Sequence, residues 1–379
     1  MLEMTKRFCD SFLEAGLPGF DLAVYKDGKP LLRHFNGYSD LENKVKMKGD
    51  ERYFIYSCSK PITCVAAMQL WEKGLFSLDD ELSRYMPEFE NMTVKTGGGV
   101  RPARNPILVK HLFEMTAGFS YALASPELVK AREETDGRCP TREVMKYLAK
   151  EPLLFDPGER WEYSLCHDVL AALVEVISGE KFEDYVEKNI FRPLGMTHST
   201  FMLPDSELPT VSELYSYSNG ETHNDNRRLG YKIGSEYASG GAGCISTVDD
   251  YMKFLEALRT GDGVLKKETI DLMATDRLTD EQKRTYWTRA THGYGLGLRC
   301  PKNGGAYPDF GWGGAACAFL AVDRPNGLSV YFGAHMRTAP VHGLRSMIYR
   351  LVRAELFAPE EMENVQNELS KLHDYNLTY

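Results

Sequence analysis

The chain lacks any run of about 18 consecutive apolar residues, so no stretch is expected to span a membrane as a helix. It lacks a Cys-x-x-Cys pair. Its eight cysteines (Cys9, Cys58, Cys64, Cys139, Cys166, Cys244, Cys300 and Cys317) are scattered, which argues against a zinc site or a redox dithiol. Several lie in apolar or glycine-rich runs, where a free thiol packs as a small hydrophobe. There is no basic stripe. With 45 basic and 54 acidic residues the formal charge is −9, which argues against nucleic acid as the main partner. There is no apolar leader either: Met1-Leu2-Glu3-Met4-Thr5-Lys6-Arg7 is charged and residues 8–17 are amphipathic, so no signal peptide is expected. No internal repeat occurs. Gly295-x-Gly297 lacks the rest of a dinucleotide fingerprint. The expectations are a reducing, cytoplasmic home, no cofactor, no metal and no membrane partner.

What is present is an ordinary globular composition: 43% hydrophobic, 26% charged and 11% aromatic over 379 residues, enough for two or three units and a large core. Residues 20–25 alternate as a strand, Lys26-Asp27-Gly28-Lys29 reads as a hairpin turn, and residues 31–38 return. Residues 61–73 have helical spacing, ended by Gly74. The Gly- and Arg-rich residues 91–105 read as a surface loop and boundary. A helical region follows, closed by the polar residues 216–228. Gly240-Gly241-Ala242-Gly243 reads as a tight turn before a helix capped by Ser246 or Thr247. Residues 293–299, 316–322 and 328–335 are β-like, residues 340–356 helical, and the acidic residues 359–372 a further helix. Strands early and late with helices between predict an α+β fold: a mostly antiparallel sheet flanked by helices from residues 1–100 and 236–379, a helical insert over 101–235, and an active site between them.

Chemistry is carried first by Ser57-Cys58-Ser59-Lys60. On a helix Ser57 and Lys60 share a face, and an amine can take the proton that keeps a hydroxyl a poor nucleophile. The motif is weak alone, since Ser178-Gly179-Glu180-Lys181 repeats it where a helix stops at a glycine cap. The bland reading of Ser57 is a helix-capping serine before a surface lysine.

Ordered landmarks reverse that judgement. Phe54-Ile55-Tyr56-Ser57-Cys58-Ser59-Lys60-Pro61, Leu78-Asp79-Asp80-Glu81, Tyr85-Met86-Pro87, residues 111–118, Pro157-Gly158-Glu159-Arg160-Trp161-Glu162-Tyr163-Ser164, Pro193-Leu194-Gly195-Met196 and Tyr294-Gly295-Leu296-Gly297 together resemble the class C β-lactamase-like serine hydrolases. That group includes D,D-peptidases, family VIII esterases and acyltransferases. The resemblance spans residues 17–337 and implies Ser57 as nucleophile opening a helix, with Lys60 and Tyr163 sharing the general-base duty. It implies an oxyanion hole from the N–H groups of Ser57 and Ala315. Pro61 is at odds with a helical Lys60 but tolerated in a first turn.

Two departures bear on substrate. Where β-lactamases and D,D-peptidases carry Lys-Thr-Gly or His-x-Gly, this chain has Trp312-Gly313-Gly314, with no cation for a substrate carboxylate. Where Tyr-x-Asn is expected it has Tyr163-Ser164-Leu165, and Tyr163 to Asp168 resembles the esterase and acyltransferase branch. Trp312, Gly313, Gly314 and Leu165 are therefore the expected substrate-binding residues, and a small-molecule ester the expected substrate. The alternatives are amide hydrolysis of the β-lactamase or D,D-peptidase type, acyl transfer to a small acceptor, and an inactive binding homologue. His111, His167 and His335 read as structural, Cys166-His167 as no dyad, and Asp249-Asp250 as helix-start acids.

Overall fold

The structure, a computed structural model, describes residues 1–365 and 367. Strands from both ends of the chain form one eight-stranded sheet: β1 (Gly19–Lys26), β2 (Lys29–Asp40) and β3 (Val45–Lys46), then β4 (Gly293–Tyr294), β5 (Arg299–Cys300), β6 (Phe310–Gly313), β7 (Phe319–Asp323) and β8 (Leu328–Ala334). The order is β4-β5-β6-β7-β8-β1-β2-β3, and each paired neighbour is antiparallel. The β1–β2 turn follows from Asp27-Gly28, both at positive φ (51° and 80°), as a tight hairpin requires.

Alternation along the strands makes two cores. Phe20, Leu22 and Val24 of β1 register with Ala334, Phe332 and Val330 of β8. These face one core with helices α1 (Glu3–Glu14) and, near the C-terminus, a helix over Met347–Phe357. The intervening Ala23 and Tyr331 face the other core. There lie α2 (Ser59–Glu72) and helices between the two groups of strands, among them α3 (Val109–Phe113), α4 (Pro126–Glu134), α5 (Thr141–Leu148), α6 (Cys166–Ser178) and α7 (Val248–Thr260). The Met347–Phe357 helix is α8. Helix α2 is apolar nearly all round because it is enclosed: Ile62, Cys64, Val65, Ala66 and Met68 are fully buried. Thr247 caps α7, its hydroxyl accepting the Asp250 N–H at 3.1 Å, which explains the paired acids of that first turn.

Several local expectations are corrected. The stretch 91–105 carries a hairpin, Thr93–Thr96 with Gly99–Pro102, and not a loop. It is fixed by a partner remote in sequence, the Leu153 carbonyl that accepts the Lys95 N–H at 2.8 Å. The polar stretch 216–228 begins inside another hairpin, Tyr215–Ser218 with Glu221–Asn224, around Asn219-Gly220 at positive φ. The β-like run 293–299 divides into β4 and β5 about a turn. The helix expected from residue 340 begins at Met347. Of the helix expected over 359–372, a short 3₁₀ turn (Pro359–Glu361) leads into helical residues 362–365; all that follows except residue 367 lies outside the described residues. Among the described residues no helix is long and apolar enough to cross a membrane.

Candidate active site

Ser57 lies in a single 3₁₀ turn, Tyr56–Cys58, immediately ahead of α2; the α-helix proper starts two residues after the serine. Tyr56 holds a left-handed backbone (φ 48°), a conformation that costs a non-glycine residue about 1–2 kcal/mol. Its surroundings impose it. The Ser59 hydroxyl donates to the Tyr56 carbonyl at 2.5 Å and accepts the Cys244 N–H at 3.0 Å. The Tyr251 hydroxyl of α7 donates to the Cys58 carbonyl at 2.6 Å. The result is a half-exposed Ser57 between fully enclosed neighbours. Pro61 falls in the first turn of α2, where its missing N–H has no helical partner to lose, so the apparent conflict with a helical Lys60 disappears.

Lys60 is fully buried. Its amine donates to the Gly241 carbonyl at 2.7 Å and to Ser57 Oγ at 3.3 Å. The glycine turn can approach this closely because it has no side chains. A Cβ at Gly241 would lie 2.5 Å from Asp168 Oδ2 and 3.3 Å from Lys60 Nζ. Asp168, in α6, anchors the same turn by accepting the Ser239 hydroxyl at 2.6 Å and the Tyr237 hydroxyl at 2.8 Å. Burial raises its carboxyl above the ordinary range.

Tyr163 lies in the extended segment that enters α6. The Glu162 N–H donates to the Met115 carbonyl at 2.9 Å, which ties that segment to the end of α3. The phenol hydroxyl of Tyr163 is hydrogen-bonded to Ser57 Oγ at 2.5 Å. The Lys60 amine lies over the Tyr163 ring, 4.6 Å from its centroid. Three residues separated by up to 106 positions thus meet at one oxygen. Neither histidine near the site joins them. Burial pushes His167 down to about 3, and its ring nitrogen faces the Cys64 thiol at 3.6 Å. Cys166 is raised by burial to about 11 and receives the Ser164 hydroxyl, so Cys166-His167 forms no dyad. His335 is held to about 4 by burial, stacked on Tyr53. Among the described residues no cluster of three or more His, Cys, Asp or Glu could hold a metal ion.

Strand β6 closes the other side. Trp312 is nearly buried, its ring stacked near Tyr163 with centroids 6.0 Å apart. A Cβ at Gly314 would lie 2.4 Å from the Ile55 carbonyl, so only glycine lets β6 lie against the Ser57 turn and bring Ala315 alongside. Leu165 is corrected: at 2% exposure it belongs to the hydrophobic core and offers no side chain to a substrate, because its position precedes the buried face of α6. The structure also adds residues that the motifs did not indicate. Tyr121 stacks on Tyr163 at 5.4 Å, Tyr231 meets Tyr121 edge-on at 5.5 Å, and Trp287, 63% exposed, meets Tyr163 at 4.8 Å. The surroundings of the Tyr163 ring are therefore aromatic, and Tyr121, Tyr231 and Trp287 come from segments whose composition carries no periodic signal.

A β-lactamase family model matches residues 5–343. The chain belongs to the β-lactamase family. Within that family it is 29% identical over 356 residues to the esterase EstB of Burkholderia gladioli, covering 85% of this chain and 87% of the relative. It is 30% identical over 310 residues to protein Rv1367c of Mycobacterium tuberculosis, covering 77% and 76%. Among solved structures, EstCE1, described as a hydrolase with promiscuous acyltransferase activity, superposes with a TM-score of 0.76 at 25% identity, covering 93% of this chain and 98% of that one. This β-lactamase family member is accordingly a serine hydrolase, with the α+β architecture that its strand pattern predicted.

Proposed function

We propose that the protein hydrolyses small carboxylic esters through an acyl-enzyme on Ser57. The observation that carries this reading is the convergence of the Tyr163 phenol (2.5 Å) and the Lys60 amine (3.3 Å) on Ser57 Oγ. In the proposed sequence Ser57 Oγ attacks the ester carbonyl carbon while its proton passes to the Tyr163–Lys60 pair. The tetrahedral oxyanion is held by the N–H groups of Ser57 and Ala315. The carbon–oxygen bond to the alcohol breaks, and Tyr163 returns the proton to the departing oxygen. Water, deprotonated by the same pair, then cleaves the acyl-serine, releasing the acid and restoring the Ser57 hydroxyl. Ser57 and Lys60 come from the unit read as residues 1–100 with 236–379, and Tyr163 from the helical insert read as 101–235.

Esterase chemistry is favoured over β-lactam hydrolysis by Trp312, which occupies the motif position where a cation is usual, and by the likeness to EstB. Acyl transfer to a small alcohol is the second reading, supported by the likeness to EstCE1. It uses the same acyl-serine with an alcohol in place of water. All eight thiols are buried and unpaired, which supports the proposed reducing, cytoplasmic location. Paired assays test the substrate class. p-Nitrophenyl butyrate should be turned over with a kcat/KM at least about 100-fold above that for nitrocefin. The reverse ranking would overturn the ester reading, and formation of a new ester with added alcohol would establish transfer.

A further inference from the structure

Trp287 is out of keeping with the other apolar side chains. At 63% exposure it is more open than any other large apolar residue among those described, Met1 excepted. Trp161 and Trp312 are, by contrast, buried or nearly so. An indole left in water forgoes the burial that usually stabilises so large a side chain.

Its backbone is not free to fold the ring away. Trp287 lies between the short helix Asp280–Lys283 and β4. Ahead of it, the Thr285 hydroxyl donates to the Trp161 carbonyl at 2.7 Å, and the buried Tyr286 hydroxyl donates to the Gly293 carbonyl at 3.1 Å. Beyond it, the Arg289 guanidinium donates to the Tyr286 carbonyl at 3.2 Å, and the Thr291 and His292 N–H groups donate to the Thr288 carbonyl at 3.0 and 2.9 Å. The turn is pinned on both sides, and the indole is held in place before any ligand arrives.

The held ring lies next to the reacting group. Its centroid is 4.8 Å from that of Tyr163 and 4.9 Å from that of Trp161, which it meets edge-on. The Tyr163 hydroxyl is the atom bonded to Ser57 Oγ. The open indole is thus one phenol ring away from the proposed nucleophile, and a substituent a few bonds from the scissile carbonyl can reach it. Tyr121 and Trp312 lie nearly parallel to Tyr163, at 13° and 21°. A flat ring on the substrate can join this set at the separations of about 4.5–7 Å that aromatic pairs prefer, whereas a saturated ring has no π face to offer.

We propose that Trp287 is a specificity-determining residue that receives a planar aromatic ring carried by the substrate, so that aryl-bearing esters are favoured over their saturated-ring counterparts. The inference rests on the acyl-enzyme reading above and narrows its substrate class. The ring can belong to the acyl part or to the alcohol part, and the test separates the two.

The test compares kcat/KM within two matched pairs. Ethyl 3-phenylpropanoate and ethyl 3-cyclohexylpropanoate carry the ring on the acyl chain; 2-phenylethyl butyrate and 2-cyclohexylethyl butyrate carry it on the alcohol. Each planar-to-saturated ratio is divided by the same ratio for alkaline hydrolysis. Cyclohexyl is the more apolar ring, so burial alone favours the saturated ester. In at least one pair the planar ester should instead be favoured by about 3-fold or more, the range of an aromatic pair. That ratio should fall to one or below in Trp287→Leu, which keeps an apolar side chain and loses the aromatic face, with most of the change in KM. It should be largely retained in Trp287→Phe. Wild-type ratios at or below one for both pairs, or a planar preference that survives in Trp287→Leu, would overturn the assignment. Should the Leu variant not fold, oxidation of the wild-type protein by N-bromosuccinimide, read by peptide mapping, decides. Modification of Trp287 should be slowed by the unreactive ketone 4-phenyl-2-butanone and less so by 4-cyclohexyl-2-butanone; equal protection, or none, contradicts the proposal. Similar turnover of both members of each pair removes the Trp287 assignment alone. No turnover of any ester, with no adduct on Ser57, removes the acyl-enzyme reading beneath it.

Discussion

Two polar groups, the Tyr163 phenol and the Lys60 amine, reach the Ser57 hydroxyl, and their other partners differ. The Lys60 amine is already committed to the Gly241 carbonyl at 2.7 Å and reaches Ser57 at a longer 3.3 Å. Tyr163 makes the shorter contact and has its ring fixed among Tyr121, Trp312 and Trp287. On this account Tyr163 exchanges the proton with Ser57 directly, while the Lys60 amine, 4.6 Å from the ring centroid, packs against the ring and completes the pair. Tyr163→Phe keeps the ring contacts and removes only the hydroxyl. It should lower kcat on p-nitrophenyl butyrate by about 10²- to 10⁴-fold, the usual worth of a general base, with thermal melting nearly unchanged. A loss under about threefold would transfer the duty to Lys60. The second Ser-x-x-Lys copy shows why spacing alone is weak. Ser178 ends α6, Gly179 takes the left-handed C-cap, and the Ser178 hydroxyl accepts the Glu180 N–H at 3.1 Å.

At the scale of elements, what could be read from sequence was what local rules dictate. Asp27-Gly28 specifies the β1–β2 hairpin, apolar spacing specifies α2, and Thr247 with two following acids specifies the start of α7. The hairpins at residues 93–102 and 215–224 were illegible because each draws on distant chain. One is tied to Leu153, and the other pairs in parallel with Met336 and Arg337. The same distinction runs through the site. Ser57, Lys60 and Tyr163 lie in motifs with a fixed order along the chain. Tyr121, Trp287 and Tyr231 lie in stretches of no regular pattern, and only folding brings them beside Tyr163. The left-handed Tyr56 is likewise invisible in sequence, because tyrosine has no preference for that conformation and the surrounding hydrogen bonds impose it. Leu165 shows the converse error: a motif position was assigned to a ligand although its side chain serves the core.

At the scale of the whole molecule, burial of neutral histidines couples stability to pH. His111 and His335 are lowered to about 4, and His167 and His342 to about 3, in each case chiefly because burial disfavours the imidazolium. With folded values below the ordinary ~6.5, the unfolded chain takes up these protons first. The stability they preserve is complete above about pH 6.5 and is lost as pH falls towards the folded values. The buried carboxyls raised by burial, Asp168 and Glu114, have the opposite sign, but their window starts from ordinary values of 3.8 and 4.5. Between pH 7.5 and about 5.5 the histidines should dominate, and the urea midpoint should fall with acidification. A midpoint that is flat or rising over that range would contradict this balance.

The central claim is that one oxygen, set between the sheet and the helices that cover it, takes the acyl group. The most direct measurement is intact mass followed by peptide mapping after brief exposure of the folded protein to a fluorophosphonate. The account predicts a single adduct, on the peptide carrying Ser57, and none in Ser57→Ala. An adduct on another residue, or labelling that persists in Ser57→Ala, would contradict it.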